Sequence, residues 1–178
     1  SRYLMLTYAS RATFPPVPDG IGFHPEVGRV LVQSRRNNLR QRLVGGLYFA
    51  DGCFFQVLEG RREDVEALYA RLQQDPRHQE LQVLERREIP APAFRGWAMK
   101  HVPDAPEVKS LMARHGRVGF DPYGFSPALV GQMVDLLLGS PGSVERDSGA
   151  SSRQPALPRL LGAAGVAVML VLAVMLLR

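Results

Sequence analysis

Arg2 to Ala9 reads as a β-strand whose successive side chains alternate between two faces, Leu4, Leu6 and Tyr8 on one and Tyr3, Met5 and Thr7 on the other. Ser10 to Pro25 breaks the alternation, and Pro15, Pro16 and Pro18 cannot continue a ladder. Pro25 suits the first turn of a helix, Val27, Val30 and Leu31 follow at helical spacing, and Ser34 to Asn38 reads as its polar, cationic end. Two apolar runs then flank Asp51-Gly52, a dipeptide that takes the positive φ angles of a tight hairpin. The second run, Cys53 to Glu59, is apolar on both faces, as expected of a strand covered on each side. Gln56 interrupts that run. A buried, unpaired amide costs roughly 1–3 kcal/mol, so Gln56 requires a hydrogen-bond partner.

After Gly60, Val65, Leu68, Tyr69 and Leu72 mark an amphipathic helix over Arg62 to Gln74, which Asp75-Pro76 stops. Leu81 to Arg87 predicts a fourth strand and Trp97 to Val102 a fifth. The order β-α-β-β-α-β-β predicts an α+β fold, a ferredoxin-like sheet with an added strand and two helices on one face. Two extra helices, Pro106 to His115 and Ser126 to Leu138, would cover the second face. Gly139 to Pro158 is rich in Ser, Gly and Pro and reads as a flexible linker. Leu160 to Leu177 is an apolar run between Arg159 and Arg178. As a helix it would measure about 27 Å, enough to cross a hydrocarbon core once. The expected organisation is a domain over 1–103, a helical extension over 104–139, a linker over 140–159 and a transmembrane helix over 160–177.

Composition narrows the chemistry. The formal net charge of +5, from 22 basic and 17 acidic residues, is too slight to argue nucleic-acid binding. The single cysteine, Cys53, excludes an internal disulfide and a cysteine-based zinc site, and its place in an apolar strand argues for an inert thiol. The four histidines show no ligand-type spacing, so no metal site is expected. No nucleophile motif, P-loop or marked carboxylate pair occurs, and Glu59 reads as a solvated or cap-forming carboxylate. No signal peptide is expected at the first residues.

Tyr8 stands at the end of the first strand, where adjacent central strands would bring it against Gln56. A phenol gives a proton or an electron, and an amide offers both donors and an acceptor. Asn37 and Asn38 by themselves fit a helix terminus.

Five segments occur in a telling order: Leu6-Thr-Tyr-Ala-Ser-Arg-Ala12, Ser34-Arg-Arg-Asn-Asn38, Asp51-Gly-Cys-Phe-Phe-Gln-Val-Leu-Glu-Gly60, Asp75-Pro-Arg-His78 and Phe94-Arg-Gly-Trp-Ala-Met99. Over about Arg2 to Pro103 the chain resembles the BLUF family, sensors of blue light using flavin. The resemblance implies a noncovalently bound FAD, with Tyr8 as the photoactive tyrosine and Gln56 as the essential glutamine. It further implies that Asn38 hydrogen-bonds the flavin ring and that Asn37, Arg40, Arg77 and His78 lie near it. Trp97 and Met99 match a fifth-strand pair that relays the signal; two apart in a regular strand, they would face the same side. Leu43-Val44-Gly45 departs from the family's Ile-Thr-Gly by losing a hydroxyl.

The function these features imply is a membrane-tethered photoreceptor and not an enzyme. Light would drive an electron and a proton from Tyr8 while Gln56 rearranges, leaving an altered hydrogen bond to the flavin. Output would run through contacts with a protein partner, as a homo-oligomer, with the sensor on the cytoplasmic side of the inner membrane. The competing readings are a flavin-dependent redox enzyme and a degenerate structural module without flavin.

Overall fold

The structure is a computed structural model that describes residues 2–15, 24–76, 78–103 and 105–142. The strands are β1 (Tyr3–Ala12), β2 (Val44–Ala50), β3 (Cys53–Arg61), β4 (His78–Ile89) and β5 (Lys100–His101). The helices are α1 (Pro25–Gln41), α2 (Arg62–Leu72), α3 (Pro106–Arg114) and α4 (Pro127–Gly139). The five strands form one sheet in the order β4-β1-β3-β2-β5, antiparallel except for β2 with β5. The order of elements is the one that the sequence pattern predicts.

β2 and β3 are joined through Asp51 (φ 49°) and Gly52 (φ 72°), both in the left-handed region that a two-residue hairpin turn with strand-matched twist demands. The Asp51 carboxylate also accepts the Phe120 N–H at 2.7 Å, tying the hairpin tip to the chain between α3 and α4. β3 is buried along all but its last residue, and its side chains alternate between two cores. Phe54 and Leu58 join Leu4, Leu6, Leu47, Val30 and Val65 beneath α1 and α2. Phe55 and Val57 join Met5, Tyr48, Val108, Leu111 and Met133 beneath α3 and α4. The double covering is why this strand reads as apolar on both faces.

Several boundaries differ from expectation, each for a tertiary reason. α1 runs one turn beyond Ser34–Asn38 and closes at Arg42 in a left-handed conformation, φ 55°. Asn38 is therefore inside the helix, its side chain engaged across the fold. β1 reaches Ala12 and β4 starts at His78, because the two pair along their whole length from Tyr3↔Ile89 to Ala12↔His78. Gly60 continues β3, opposite Leu4. The fifth strand contracts to Lys100–His101, the two residues that pair in register with Gly46 and Leu47 of β2, while Trp97 and Val102 on either side make single backbone bonds to Gly45 and Leu47. Among the described residues no helix is long and apolar enough to cross a membrane. The run 160–177, and the linker beyond Gly142, lie outside the described residues.

Candidate functional site

A cleft opens between α1, α2 and the sheet. β1 supplies Tyr8, β3 supplies Gln56 and Leu58, and α1 supplies Val30, Asn37 and Asn38. Leu68, Leu72, Asp75, His78 and Met99 line it too, and Gln33 and Ser34 of α1 complete the wall. Val30, Leu68 and Leu72 belong to the inward stripes of two amphipathic helices, so the packing that builds the core also shapes the cleft.

Tyr8 and Gln56 are paired directly across β1 and β3, with Leu47 on the far side of Gln56. Tyr8 is 1% exposed and Gln56 2%. The Tyr8 hydroxyl donates to Gln56 Oε1, which answers the demand of the buried amide for a partner. Tyr69 packs edge-on against Tyr8 with ring centroids 5.7 Å apart. Burial, reinforced by Tyr69 and Asp75, raises the Tyr8 phenol well above its ordinary range, so it stays protonated in the resting protein.

Asn38 is buried and donates through Nδ2 to the Ala98 carbonyl at 2.6 Å. One turn earlier, Arg35 donates through Nε to the Met99 carbonyl at 3.1 Å. Two side chains of α1 thus hold consecutive carbonyls of the segment entering β5. Met99 is 2% exposed and projects into the cleft-side core. Trp97 does not share that side: it is half-buried, packs on Gly142 and lies under the Lys100 ammonium, 5.6 Å from the ring centroid. The expectation that Trp97 and Met99 face together fails because residues 97–99 precede the strand and are free of its alternation. Lys100 reaches the other way, donating to the Leu138 carbonyl at the end of α4 at 2.8 Å.

His78 lines the cleft, sits on Phe54 and contacts Ser10 Oγ through Nδ1 at 2.8 Å. Asn37 lines the cleft beside Asn38. Arg40 is exposed and is not part of the lining, because it lies on the outward face of α1. Arg77 falls outside the described residues. Sequence reasoning missed Asp75, whose only signal was its place in Asp75-Pro-Arg-His78, and Arg35, which resembled its solvated arginine neighbours. Glu59, read as a solvated or cap-forming carboxylate, takes backbone N–H groups and not solvent. The structure buries Glu59, which accepts the Ala93 and Phe94 N–H groups at 2.6 and 3.0 Å and so fixes the loop between β4 and β5. Burial moves its carboxyl above the usual range, against the opposing pull of those two N–H groups and Arg87. Cys53 is buried with its thiol pKa pushed up by desolvation.

Two buried polar atoms of the cleft wall find no partner among the described residues: the donor Gln56 Nε2 and the acceptor Asn38 Oδ1. Native proteins rarely leave such atoms unsatisfied, so they mark what the cleft receives. A flavin ring edge carries carbonyl acceptors and a ring N–H donor, and its flat faces suit walls made of Leu58, Leu68 and Leu72. The residues present fit a flavin.

Fold and cleft together define a flavin-binding sensor module. Residues 4–100 match the family described as BLUF, sensors of blue-light using FAD, and the chain belongs to that family. Its chromophore is FAD. The chain is 31% identical over 139 residues to the photoactivated adenylate cyclase subunit beta of Euglena longa, and 37% identical over 73 residues to that of Euglena gracilis. Those matches cover 75% and 41% of this chain but 16% and 8% of the two relatives. Among solved structures, the photo-activated state of BlsA matches at 26% identity and a TM-score of 0.70, over 80% of this chain and 99% of that one. BlrB, a BLUF protein in its dark state, matches at 27% identity and a TM-score of 0.60, over 77% and 96%. A bacterial light-regulated adenylyl cyclase matches at 27% identity and 0.55, over 64% of this chain and 33% of its own.

Proposed function

We propose that this chain is a membrane-tethered blue-light photoreceptor that signals by exchanging the hydrogen bonds of Gln56 and passes the change to a protein partner. The observation that carries the reading is the buried Tyr8–Gln56 pair, with Gln56 Nε2 still unpartnered toward the cleft.

When bound, FAD supplies blue-light absorption and an excited state able to accept an electron. Everything else rests on this chain's residues. Asn38 Oδ1 and Gln56 Nε2 would hold the ring edge, and Tyr8 waits beneath, protonated, with its O–H directed at Gln56 Oε1. Burial denies the phenol a route to bulk water, so a proton leaving it has Gln56 as its acceptor. Turning the amide end over exchanges donor and acceptor: Nε2 then faces Tyr8 and Oε1 faces the cleft. Each arrangement satisfies a different set of partners, which makes the amide a small bistable element whose population light shifts. Met99 follows the change on the cleft side, while Lys100 and Trp97, its near neighbours in sequence, hold the end of α4 and Gly142. The output then passes through α4 toward the segment that leads to 160–177. That apolar run supports insertion in the cytoplasmic membrane, with FAD supply placing the sensor on the cytoplasmic side. A homo-oligomer raises the local concentration of docking surfaces for the partner.

The full chain, purified in darkness, should be yellow and show a reversible red shift of its flavin bands under blue light. A colourless protein would sink the reading, and irreversible bleaching with substrate turnover would replace it by a redox enzyme. Membrane fractionation tests the tether separately: the chain should stay with the pellet through an alkaline wash, and release into the supernatant would remove the membrane from the account.

A further inference from the structure

The solvent face of α1 has a composition that the flavin cleft does not explain. Val32 is 67% and Leu39 54% exposed, two of the four large hydrophobic residues left exposed among the described residues. Seven positions apart, they share one side of the helix. Beside them run Arg29, Arg36 and Arg40, all exposed and also spaced by four and seven along α1. The inward face carries Val27, Val30, Leu31 and Asn38, so the outward stripe has no part in holding the cleft. The charge is concentrated as well. α1 and its cap hold Arg29, Arg35, Arg36, Arg40 and Arg42 against a single acid, Glu26, which pairs with Arg29. Most of the chain's formal +5 therefore sits on one helix. The other helix over the same face, α2, offsets Arg62 and Arg71 with Glu63, Asp64 and Glu66.

We propose that this face of α1 docks onto an anionic phospholipid surface. Guanidinium groups pair with lipid phosphates, and two isolated aliphatic side chains find an apolar layer just beneath them. A nucleic-acid backbone meets the first requirement and not the second, which decides between the two anionic partners. The inference rests on the tethered reading to the extent that 160–177 keeps the sensor beside a bilayer. Each basic residue close to an anionic surface strengthens docking roughly fivefold.

The test uses the full chain in a Cys53→Ser background, with flavin absorbance as the check of the fold. Val32→Cys receives an environment-sensitive nitrobenzoxadiazole label, and Val118→Cys, at a remote exposed site, provides the control. The chain is reconstituted in phosphatidylcholine liposomes with or without phosphatidylglycerol. The label at position 32 should shift to the blue only with phosphatidylglycerol and lose the shift in high salt, while the label at 118 stays water-like. Arg29→Glu with Arg36→Glu should lower the ratio of docked to undocked chain by at least about 25-fold, with retention through the alkaline wash unchanged. A label at 32 that reads water in both lipids, or responds equally in both, overturns the proposal. An equal response to duplex DNA without lipid overturns it in favour of a nucleic-acid partner. A charge-dependent shift in a chain that the alkaline wash releases supports docking while removing the tether.

Discussion

Replacing Asn38 with Ala removes two hydrogen-bonding groups that do different work. Nδ2 holds the Ala98 carbonyl at 2.6 Å in a site where Asn38 is 1% exposed. Without it a buried carbonyl loses its donor, which costs about 1–3 kcal/mol of folding stability. Oδ1 has no partner among the described residues, so the flavin-free protein carries an unsatisfied buried acceptor that FAD would relieve. Asn38→Ala has nothing left to relieve, and its flavin affinity should fall by about 1–3 kcal/mol, roughly 5- to 150-fold in Kd. Fluorescence quenching of FAD added to flavin-free protein measures the affinity, and urea unfolding of the same preparation measures the stability. The titration is read where circular dichroism shows the variant folded. A folded Asn38→Ala protein binding FAD within twofold of the wild type would refute the assignment of Oδ1 to the flavin.

Two further predictions concern buried titratable groups. Burial, and then the Arg35 charge, lower the His101 pKa to about 4. Because the unfolded chain takes up its proton near pH 6.5 and the folded chain near 4, stability contributed by neutral His101 is full above 6.5 and is lost as pH falls toward 4. The loss is on the order of 2 kcal/mol once partial solvent screening is allowed for, and His101→Gln should flatten denaturation midpoints across that window. Glu59 has the opposite sign: its folded pKa is raised, so wild-type stability relative to Glu59→Gln should grow as pH falls from neutral through the folded value, and level off below the ordinary glutamate value. Glu59→Ala deprives the Ala93 and Phe94 N–H groups of their acceptor and should cost about 2 kcal/mol in urea unfolding at neutral pH.

The parts of the fold legible in the sequence were those set by local pattern. The hairpin follows from Asp51-Gly52 between apolar runs, and the two-sided burial of β3 from the absence of alternation between Cys53 and Leu58. Helix ends and short strands were less legible because tertiary partners decide them. Asn38 resembles a helix terminus until Ala98, sixty residues on, is seen to receive its side chain. Strand β5 is short because only Lys100 and His101 pair in register with β2, opposite Gly46 and Leu47, a fact about pairing that no local window contains. In the site, Gln56 announced itself as a polar residue in an apolar strand, and Tyr8 as its partner through register. Glu59 carried no such sign, since a carboxylate at a strand end is ordinarily solvated and only the loop folding back over β3 buries it. The modest overall charge likewise hid the basic face of α1, because net charge counts residues without their placement.

The central claim is that Gln56 is the switch and not merely a satisfied core amide. Gln56→Leu keeps the bulk of the side chain and removes both hydrogen-bonding groups, so the cleft should still take up FAD. The decisive measurement is the blue-light-minus-dark absorption spectrum of full-length Gln56→Leu beside the wild type, at equal flavin content. The account predicts a reversible red shift in the wild type and none in the variant. A normal red shift and recovery in Gln56→Leu would contradict it.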